Sequence, residues 1–315
     1  MVSTVVWFEL QPTSMNARHL LREVLRLLVT IWLALTLVFV LLKAMPGNVL
    51  TAQLQESGAN AETIAAAAKQ FGIDKPLLVQ YVDSLLDIAR GEFGRSLSSG
   101  IPVVLLLQQR VTSSLTMVGI AFVISSSTAL FVVMLSHQRS LLFQRMVDAA
   151  CAVIFSLPPF WIGTLLLIVN TSTVGVSQSS LLLPVTVLSI QMTSLILITL
   201  RQALASLAGE PHVVFARSKG LPEHVVFRHH LLPLAIMTAI TVISNHLAVL
   251  MGSTVSVEVL FGQPGLGSLL LKAVLERDYF TAQGAVVVIV VLASLFTFAA
   301  RIITSWIDPR IGSTQ

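Results

Sequence analysis

Long runs without a charged side chain are the feature that most limits what this chain can fold into. Residues 111–138 contain no Asp, Glu, Lys or Arg, and neither do residues 149–200. Over the whole sequence 55% of residues are hydrophobic and 11% are charged, whereas soluble domains carry about 25% charged residues. A soluble fold could not bury this much apolar surface, so the sequence predicts an all-α integral membrane protein.

A helix that crosses a bilayer needs about 20 mostly apolar residues, and the sequence predicts six such spans. The polar cluster 171–180, which contains Gly175, divides the longer uncharged run into two of them. Pro158 and Pro159 are expected to kink or break the third span. The predicted spans are residues 20–44, 111–135, 149–170, 181–200, 234–257 and 280–300, and the last five form a permease-like core within residues 111–305.

The positions of the arginines and lysines predict how the chain is oriented. Six spans put both termini on one side, and short cytoplasmic segments carry an excess of positive charge. This rule places the tail 1–19, the loop 202–233 and the tail 306–315 in the cytoplasm, and residues 45–110 outside. The residues that decide the orientation are Arg18, Arg22, Arg139, Arg145, Arg201, Arg217, Lys219, Arg228, Arg301 and Arg310. The net charge of +4 is thereby explained without a nucleic-acid partner.

The N-terminal segment resembles a signal peptide, because basic residues up to Arg26 precede the apolar run 27–42. That run is long for a signal peptide, and residues 43–46 (Lys-Ala-Met-Pro) make a poor cleavage site. We therefore expect an uncleaved first span. Translation could start at Met1 or at Met15, which lies just before the basic cluster.

The external region 45–110 is expected to be helical. Residues 61–70 have a helix-favouring composition. Apolar residues from Leu78 to Ile88 recur at helical spacing, and Pro76 stands just before them. We expect these helices to pack on the outer ends of the spans, and a contact surface for an external partner is compatible with that packing.

The polar, basic segment Ala216–Pro233 lies between uncharged runs. This pattern indicates a loop that faces water and contacts a partner. The preceding residues, from Glu210 to Gly220, are predicted to form a short helix. Pro211 suits a first helical turn, and Gly220 suits the left-handed residue that ends many helices. Pro233 marks the start of span five. A short helix of this kind can sit in a partner's groove, and an ordinary positive-inside loop is the alternative.

Several short motifs follow one another in a specific order along most of the chain. They are Met45-Pro46-Gly47, Gly72-Ile73-Asp74-Lys75-Pro76-Leu77, Gly91-Glu92-Phe93-Gly94-Arg95-Ser96-Leu97, Ser156-Leu157-Pro158-Pro159-Phe160-Trp161, Ala216-Arg217-Ser218-Lys219-Gly220-Leu221, Glu258-Val259-Leu260-Phe261-Gly262-Gln263-Pro264-Gly265-Leu266-Gly267 and Asp308-Pro309-Arg310. With these motifs the chain resembles the B-type permease of the peptide/nickel class of ABC importers. The resemblance implies the type I importer permease fold, with six transmembrane helices and an extracytoplasmic helical insertion between the first two.

The resemblance also implies partners in a bacterial inner membrane. A second, C-type permease would complete the pore, two ATP-binding subunits would drive it, and an extracytoplasmic substrate-binding protein would deliver cargo, with membrane lipid around the spans. The implied ATPase-docking residues are Glu210, Pro211, His212, Ala216, Arg217, Lys219, Gly220, Leu221 and Pro233. The family usually has a tyrosine at the position of His212. No Walker lysine follows a glycine run, so the chain is expected to bind no cofactor and to be no ATPase itself.

Polar residues inside the spans are candidates for the translocation pathway, since such groups are costly in lipid. They are Ser125, Gln191, Asn245 and His246. A helix–helix hydrogen bond is the alternative for each, and no metal site is predicted.

The glycine-rich segment that follows span five resembles a flexible turn at the outer mouth rather than a phosphate loop. Its marked residues are Glu258, Gly262, Pro264, Gly265 and Gly267.

Two other classes of function are weighed against an importer permease. A membrane enzyme would need clustered acids, histidines or a nucleophile, and a channel would need a charged ring or a carbonyl filter; neither pattern is visible in the sequence. Peptide, nickel and metal–chelate cargo all remain open for a permease of this type. The histidine at position 212 resembles nickel-type members.

Overall fold

The computed structural model describes residues 17–44, 60, 75–137, 139–175 and 180–307. Within these ranges the chain is helical and has no β-strand beyond one isolated bridge between Arg95 and Pro102. A helix pairs its backbone N–H and C=O groups within its own segment, which is what lipid demands. The predicted all-α class is confirmed.

The helices follow the apolar runs of the sequence. In chain order they are α1 Ala17–Ala44, α2 Leu77–Arg90, α3 Val103–His137, α4 Leu141–Ser156, α5 Pro159–Val169, α6 Leu182–Leu207, α7 Pro211–Ser218, α8 Glu223–Val226, α9 Leu232–Leu260, α10 Leu266–Leu275 and α11 Tyr279–Ile307. π-helical turns follow α5 at Asn170–Val174 and α8 at Phe227–Leu231.

Four straight helices are long and apolar enough to cross a bilayer: Leu20–Leu41, Val103–Ser136, Leu182–Leu207 and Tyr279–Ile303. The segments around the two prolines pass the same test only as a pair, bent by 102°, so the described residues give four spans, or five if the bent pair counts as one. The break confirms the expected effect of Pro158 and Pro159. Helix α9 is 29 residues long, and it is the segment for which the sequence predicts the remaining span.

Helix ends differ from the boundaries that charge alone suggests. Helix α3 begins at Val103, not Val111, and includes Arg110; helix α6 continues to Leu207, so the predicted loop 202–233 begins inside a helix. Apolar runs mark the part of a helix that lies in lipid, and helices continue beyond it into polar surroundings. The helix predicted over 61–70 lies outside the described residues.

Helix α2 packs across one end of the bundle. The hydroxyl of Tyr81 lies 2.7 Å from that of Thr36 in α1, and Gln283 in α11 donates to Ser84 at 3.1 Å. The helix begins directly after Pro76, as predicted. Packing of this helix on the ends of the spans is therefore confirmed.

The start of α1, the end of α11 and α7 lie at the opposite end. Glu23, near the start of α1, accepts a hydrogen bond from Arg301, near the end of α11, at 3.1 Å, so these helices are antiparallel. Arg201 on α6 donates to Ser136 near the end of α3 at 3.2 Å and to Asp148 on α4 at 3.0 Å. These bonds tie the last part of α6, which α7 follows, to α3 and α4.

Candidate functional site

Helix α7 has the ends that the sequence predicts. Glu210 precedes it in an extended conformation, and Pro211 occupies its first turn. Gly220, with φ of +76°, follows in the left-handed region. No heavy atom lies within 4 Å of where a Cβ would stand on Gly220, so the backbone conformation, rather than lack of space, accounts for glycine here.

The inner face of α7 is locked into the bundle. Val213 and Ala216 are buried in an apolar cluster with Val226, Phe227 and Leu231. The sequence places Ala216 on a docking element for a partner, but the structure turns its side chain inward. Its small size is therefore explained by packing of α7 on the helices behind it.

Arg217, on the opposite side of α7, holds the surrounding loop in place. Its guanidinium donates twice to the Glu223 carboxylate, at 2.7 and 3.1 Å, and once to the carbonyl of Ala208 at 3.1 Å. The hydrogen bond with Glu223 raises the pKa of Arg217 above its ordinary value. Arg217 thereby holds together the segments on either side of α7.

The outer face of α7 presents apolar side chains to solvent. Phe215 is 60% exposed and Val214 is 52% exposed. The Lys219 ammonium lies 4.5 Å from the centre of the Phe215 ring, and His212 is exposed beside them. Neither Val214 nor Phe215 is among the docking residues predicted from the sequence, although adjacent exposed apolar residues in a polar loop are a usable indication of a contact surface.

The other predicted docking residues lie around this face. Leu221 is exposed just after Gly220, and Pro233 is exposed in the first turn of α9. The loop therefore has a buried anchor and an exposed face, and we call the exposed set His212, Val214, Phe215, Lys219 and Leu221 the α7 face.

At the far end of α9 the turn predicted to be flexible is tightly packed. Buried Glu258 accepts hydrogen bonds from the Ser114 hydroxyl at 2.6 Å and from the N–H groups of Gly267 and Ser268 at 2.7 and 3.2 Å. The Ser114 hydroxyl in turn accepts from the N–H of Leu266 at 2.9 Å. The first N–H groups of α10, which have no partner within their own helix, are thus paired with side chains from α3 and α9.

Two glycines are required by this packing. A Cβ on Gly265 would stand 2.1 Å from the Glu258 carboxyl carbon, and one on Gly267 would stand 2.4 Å from the Val255 backbone. Gly262 has φ of +61°, and Pro264 is exposed. The glycines of this turn therefore provide close approach and a left-handed turn rather than flexibility.

A second buried carboxylate lies between α10 and α11. Asp278 accepts from the Ser96 hydroxyl, from the N–H of Leu97 at 3.1 Å and from the Thr281 hydroxyl at 2.8 Å. Burial acts to raise the pKa of Asp278, but these hydrogen bonds outweigh it and hold the pKa below its ordinary value. Asp278 thereby fixes the segment before α3 to the start of α11.

The candidate pathway residues divide into two groups. Ser125 is buried and donates to the carbonyl of Phe122 at 3.0 Å. This bond lies within its own helix and is not the helix–helix bond considered as the alternative. Gln191 donates at 3.0 Å to the carbonyl of Leu157, at the break between α4 and α5. The side chain of Asn245 lies outside the described residues.

His246 lies beside the same break. Its ring is 6.3 Å from the ring of Phe155, and its Nδ1 lies 3.1 Å from the carbonyl of Val242. Within the described part of the chain, no group of three or more His, Cys, Asp or Glu residues is placed to hold a metal ion. Gln191 and His246 thus both lie near the break between α4 and α5.

Comparison with known families gives the geometry a context. Residues 133–313 match the family described as "Binding-protein-dependent transport system inner membrane component". Residues 16–118 match the N-terminal part of such membrane components. The chain belongs to this family. The resemblance found in the sequence is thereby confirmed.

Relatives of this permease match it over most of their length. The metal-staphylopine import system permease protein CntB of Staphylococcus aureus strain Mu50 is 28% identical over 258 residues, which cover 79% of this chain and 83% of CntB. The nickel import system permease protein NikB of S. aureus strain USA300 is 28% identical over 302 residues, or 93% of this chain and 91% of NikB.

A solved structure supports the fold of the permease. The crystal structure of an amino acid ABC transporter with histidines matches with a TM-score of 0.54 at 18% identity, covering 63% of this chain and 91% of that one. The type I permease fold is confirmed. The chain is therefore an integral membrane component of a binding-protein-dependent transport system, in a family of transport permeases rather than enzymes.

Proposed function

We propose that this permease forms half of the translocation pathway of an ABC importer and is moved by ATP-binding subunits that dock on the α7 face. The observation that carries the proposal is the division of α7 into a locked inner face and an exposed outer one. Val213 and Ala216 anchor the helix, while Phe215 projects into solvent. An exposed aromatic on a rigid support has the properties of an interface anchor.

The anchoring of α7 explains how force would reach the spans. The buried side of α7 packs against Val226, Phe227 and Leu231, directly before α9, and Arg217 ties it to the end of α6 through the Ala208 carbonyl. Packed interfaces move as rigid bodies rather than deforming continuously. Displacement of α7 by a docked subunit would therefore tilt α6 and α9 together.

The region between α6 and α9 is the proposed pathway. The break after Ser156 frees backbone groups within a span, and the amide of Gln191 pairs with one of them, the Leu157 carbonyl. Broken helices in membranes are tolerated where they are buried in protein or line a cavity. His246 borders the same break, so Gln191 and His246 are the side chains proposed to meet the cargo, together with Asn245 by its sequence position.

The proposed cargo is nickel or a metal–chelate complex. CntB and NikB carry these substrates in their names, and the histidine at position 212 resembles nickel-type members. Di- and oligopeptides are the alternative that the sequence leaves open. Uptake of radioactive nickel, of a nickel–metallophore complex and of a dipeptide by cells carrying the complete transporter would separate the classes, because a true substrate requires the binding protein and an intact ATPase.

The proposed orientation puts α7 and both termini in the cytoplasm, as the positive-inside rule predicts. Ser206 and Ser98 are both exposed and lie at opposite ends of the bundle, so cysteines can replace them. A membrane-impermeant maleimide should label Ser98→Cys in intact cells and label Ser206→Cys only after permeabilisation. The reverse pattern would overturn the orientation.

The docking role is tested with Phe215→Ala. Loss of an aromatic anchor costs about 2 kcal/mol or more at an interface, so recovery of the ATP-binding subunits on purification should fall at least ten-fold, with thermal stability of the chain unchanged. Leu86→Ala is the matched control, because Leu86 is a similarly exposed apolar residue on α2 at the other end. Full retention of the ATP-binding subunits by Phe215→Ala would contradict the proposal.

A further inference from the structure

A cavity of about 230 Å³ lies between the first half of α1 and the second half of α11. It is at the opposite end of α11 from Gln283, which contacts α2, and is separate from both α7 and the pathway region. The polar part of its lining is Glu23, Arg26, Thr30, Ser294, Thr297 and Arg301. The importer function assigned above does not use this cavity.

Among the described residues that line the cavity, positive charge exceeds negative charge. The Glu23 carboxylate, whose side chain is 3% exposed, is hydrogen-bonded to Nη1 of Arg26 and, at 3.1 Å, to Nη1 of Arg301. Two arginines thus share one acid, which leaves one positive charge in excess. The arginine side chains are 52% and 46% exposed, and a guanidinium has five N–H donors. Donors therefore remain on both arginines for an anion that enters the cavity.

The cavity lies at the level of a membrane surface. Arg26 is the last charged residue of α1 before the uncharged run 27–42, so it lies where the polar end of this helix meets its apolar part. Beyond Arg26, on the same face, the helix exposes Val29, Leu33 and Leu37. An anion held by the arginines would thus lie just above an apolar helix flank that faces lipid.

We propose that this cavity binds an anionic glycerophospholipid. Arg26 and Arg301 hold its phosphodiester, and its acyl chains lie along the exposed flank of α1. A phosphodiester supplies the single negative charge that balances the cavity, and basic pockets between spans are suited to anionic headgroups. A soluble anion would match the arginines but not the leucines beside them, so the apolar flank favours a lipid.

The proposal is tested by native mass spectrometry on the purified full-length chain. The chain is titrated with phosphatidylglycerol or with phosphatidylcholine of the same acyl chains. We expect phosphatidylglycerol to bind at least five-fold more tightly, and Arg301→Gln to remove most of that preference. Arg22→Gln is the matched control, because Arg22 is exposed on α1 one turn before Arg26 and does not line the cavity; it should change the preference less than two-fold.

A second variant separates a lipid site from a purely structural ion cluster. Glu23→Gln removes the competing carboxylate and keeps its shape, so it should tighten phosphatidylglycerol binding at least three-fold. If the arginines only hold α1 to α11 through Glu23, this variant would instead weaken or leave unchanged any lipid binding.

Three results would overturn the proposal. One is equal binding of the two lipids, and another is unchanged or weaker phosphatidylglycerol binding in Glu23→Gln. The third is complete displacement of phosphatidylglycerol by inorganic phosphate at millimolar concentration, because that would assign the cavity to a soluble anion. Transport assays play no part in these readouts, so their outcome is independent of the importer proposal.

Discussion

The two ends of α9 use charged and apolar side chains in opposite ways. Near the start of α9, helix α7 buries the apolar residues Val213 and Ala216. It leaves Arg217, Lys219 and the aromatic Phe215 exposed. At the end of α9, the turn before α10 buries the carboxylate of Glu258 and satisfies it with backbone N–H groups. The first arrangement leaves an exposed surface, which is the proposed docking surface, and the second fixes helix positions through buried hydrogen bonds.

This difference predicts where substitutions act. On the proposed docking role, a change on the α7 face removes contacts that are made only with a partner, so it should spare the fold. A change around Glu258 removes bonds that the folded chain needs, so it should reduce stability before it affects transport. The following predictions test that contrast, from the largest expected effect to the smallest.

Glu258→Ala should destabilise the chain by about 2–4 kcal/mol, because it leaves buried N–H and hydroxyl donors without an acceptor. Thermal unfolding of the purified chain in detergent measures the loss. Glu276→Ala is the control: Glu276 is exposed at the end of α10 and lies 3.7 Å from Lys272, and a surface pair of this kind contributes about 0–1 kcal/mol. Equal stability of the two variants would remove the distinction between the ends of α9.

Gly267→Ala and Gly220→Ala should separate close packing from backbone conformation. At Gly267 the new methyl would meet the Val255 backbone at 2.4 Å, so we expect a loss of about 1–3 kcal/mol from overpacking. At Gly220 the methyl meets nothing, and the left-handed conformation costs about 1 kcal/mol. We also expect only Gly220→Ala to lose ATP-binding subunits on purification. Greater unfolding in Gly220→Ala than in Gly267→Ala would contradict this order.

The smallest effect concerns Asp278 and pH. Its folded pKa lies below the ordinary value, so its contribution to stability is complete above about pH 4, the ordinary range for aspartate. That contribution is lost as the pH falls through the lower folded value. Stability measured between pH 7 and pH 5 should therefore show no change due to Asp278, and below pH 4 the parent chain should lose stability more steeply than Asp278→Asn. Parallel curves for the two chains over the acid range would count against a depressed pKa.

Local features of the sequence predicted α7 well. Proline in its first turn and a left-handed glycine after it are preferences of a few consecutive residues, and the structure shows both. The same holds for α2 after Pro76 and for the break at Pro158. Long apolar runs likewise gave the all-α class without any knowledge of how the helices pack.

Contacts between distant residues could not be predicted in this way. Glu258 accepts a hydrogen bond from Ser114, and Asp278 accepts one from Ser96. Nothing in the sequence around either acid indicates its partner. The glycines after α9 predict a flexible turn, because glycine permits many conformations. A close approach of backbone and side chain can require glycine equally well. The inward direction of Ala216 depends on the π-helical turn Phe227–Leu231 that packs behind it.

The pairing of α1 with α11 has a consequence for how the chain is made. Among the described helices, α1 packs mainly on α11, with a smaller contact to α2. The hydrogen bond between Glu23 and Arg301 depends on this packing. At about 5–20 residues per second, a ribosome reaches α11 on the order of ten seconds or more after completing α1. During that interval the first span lies in the bilayer without its principal partner, so assembly of the bundle is completed only when the last span has been inserted.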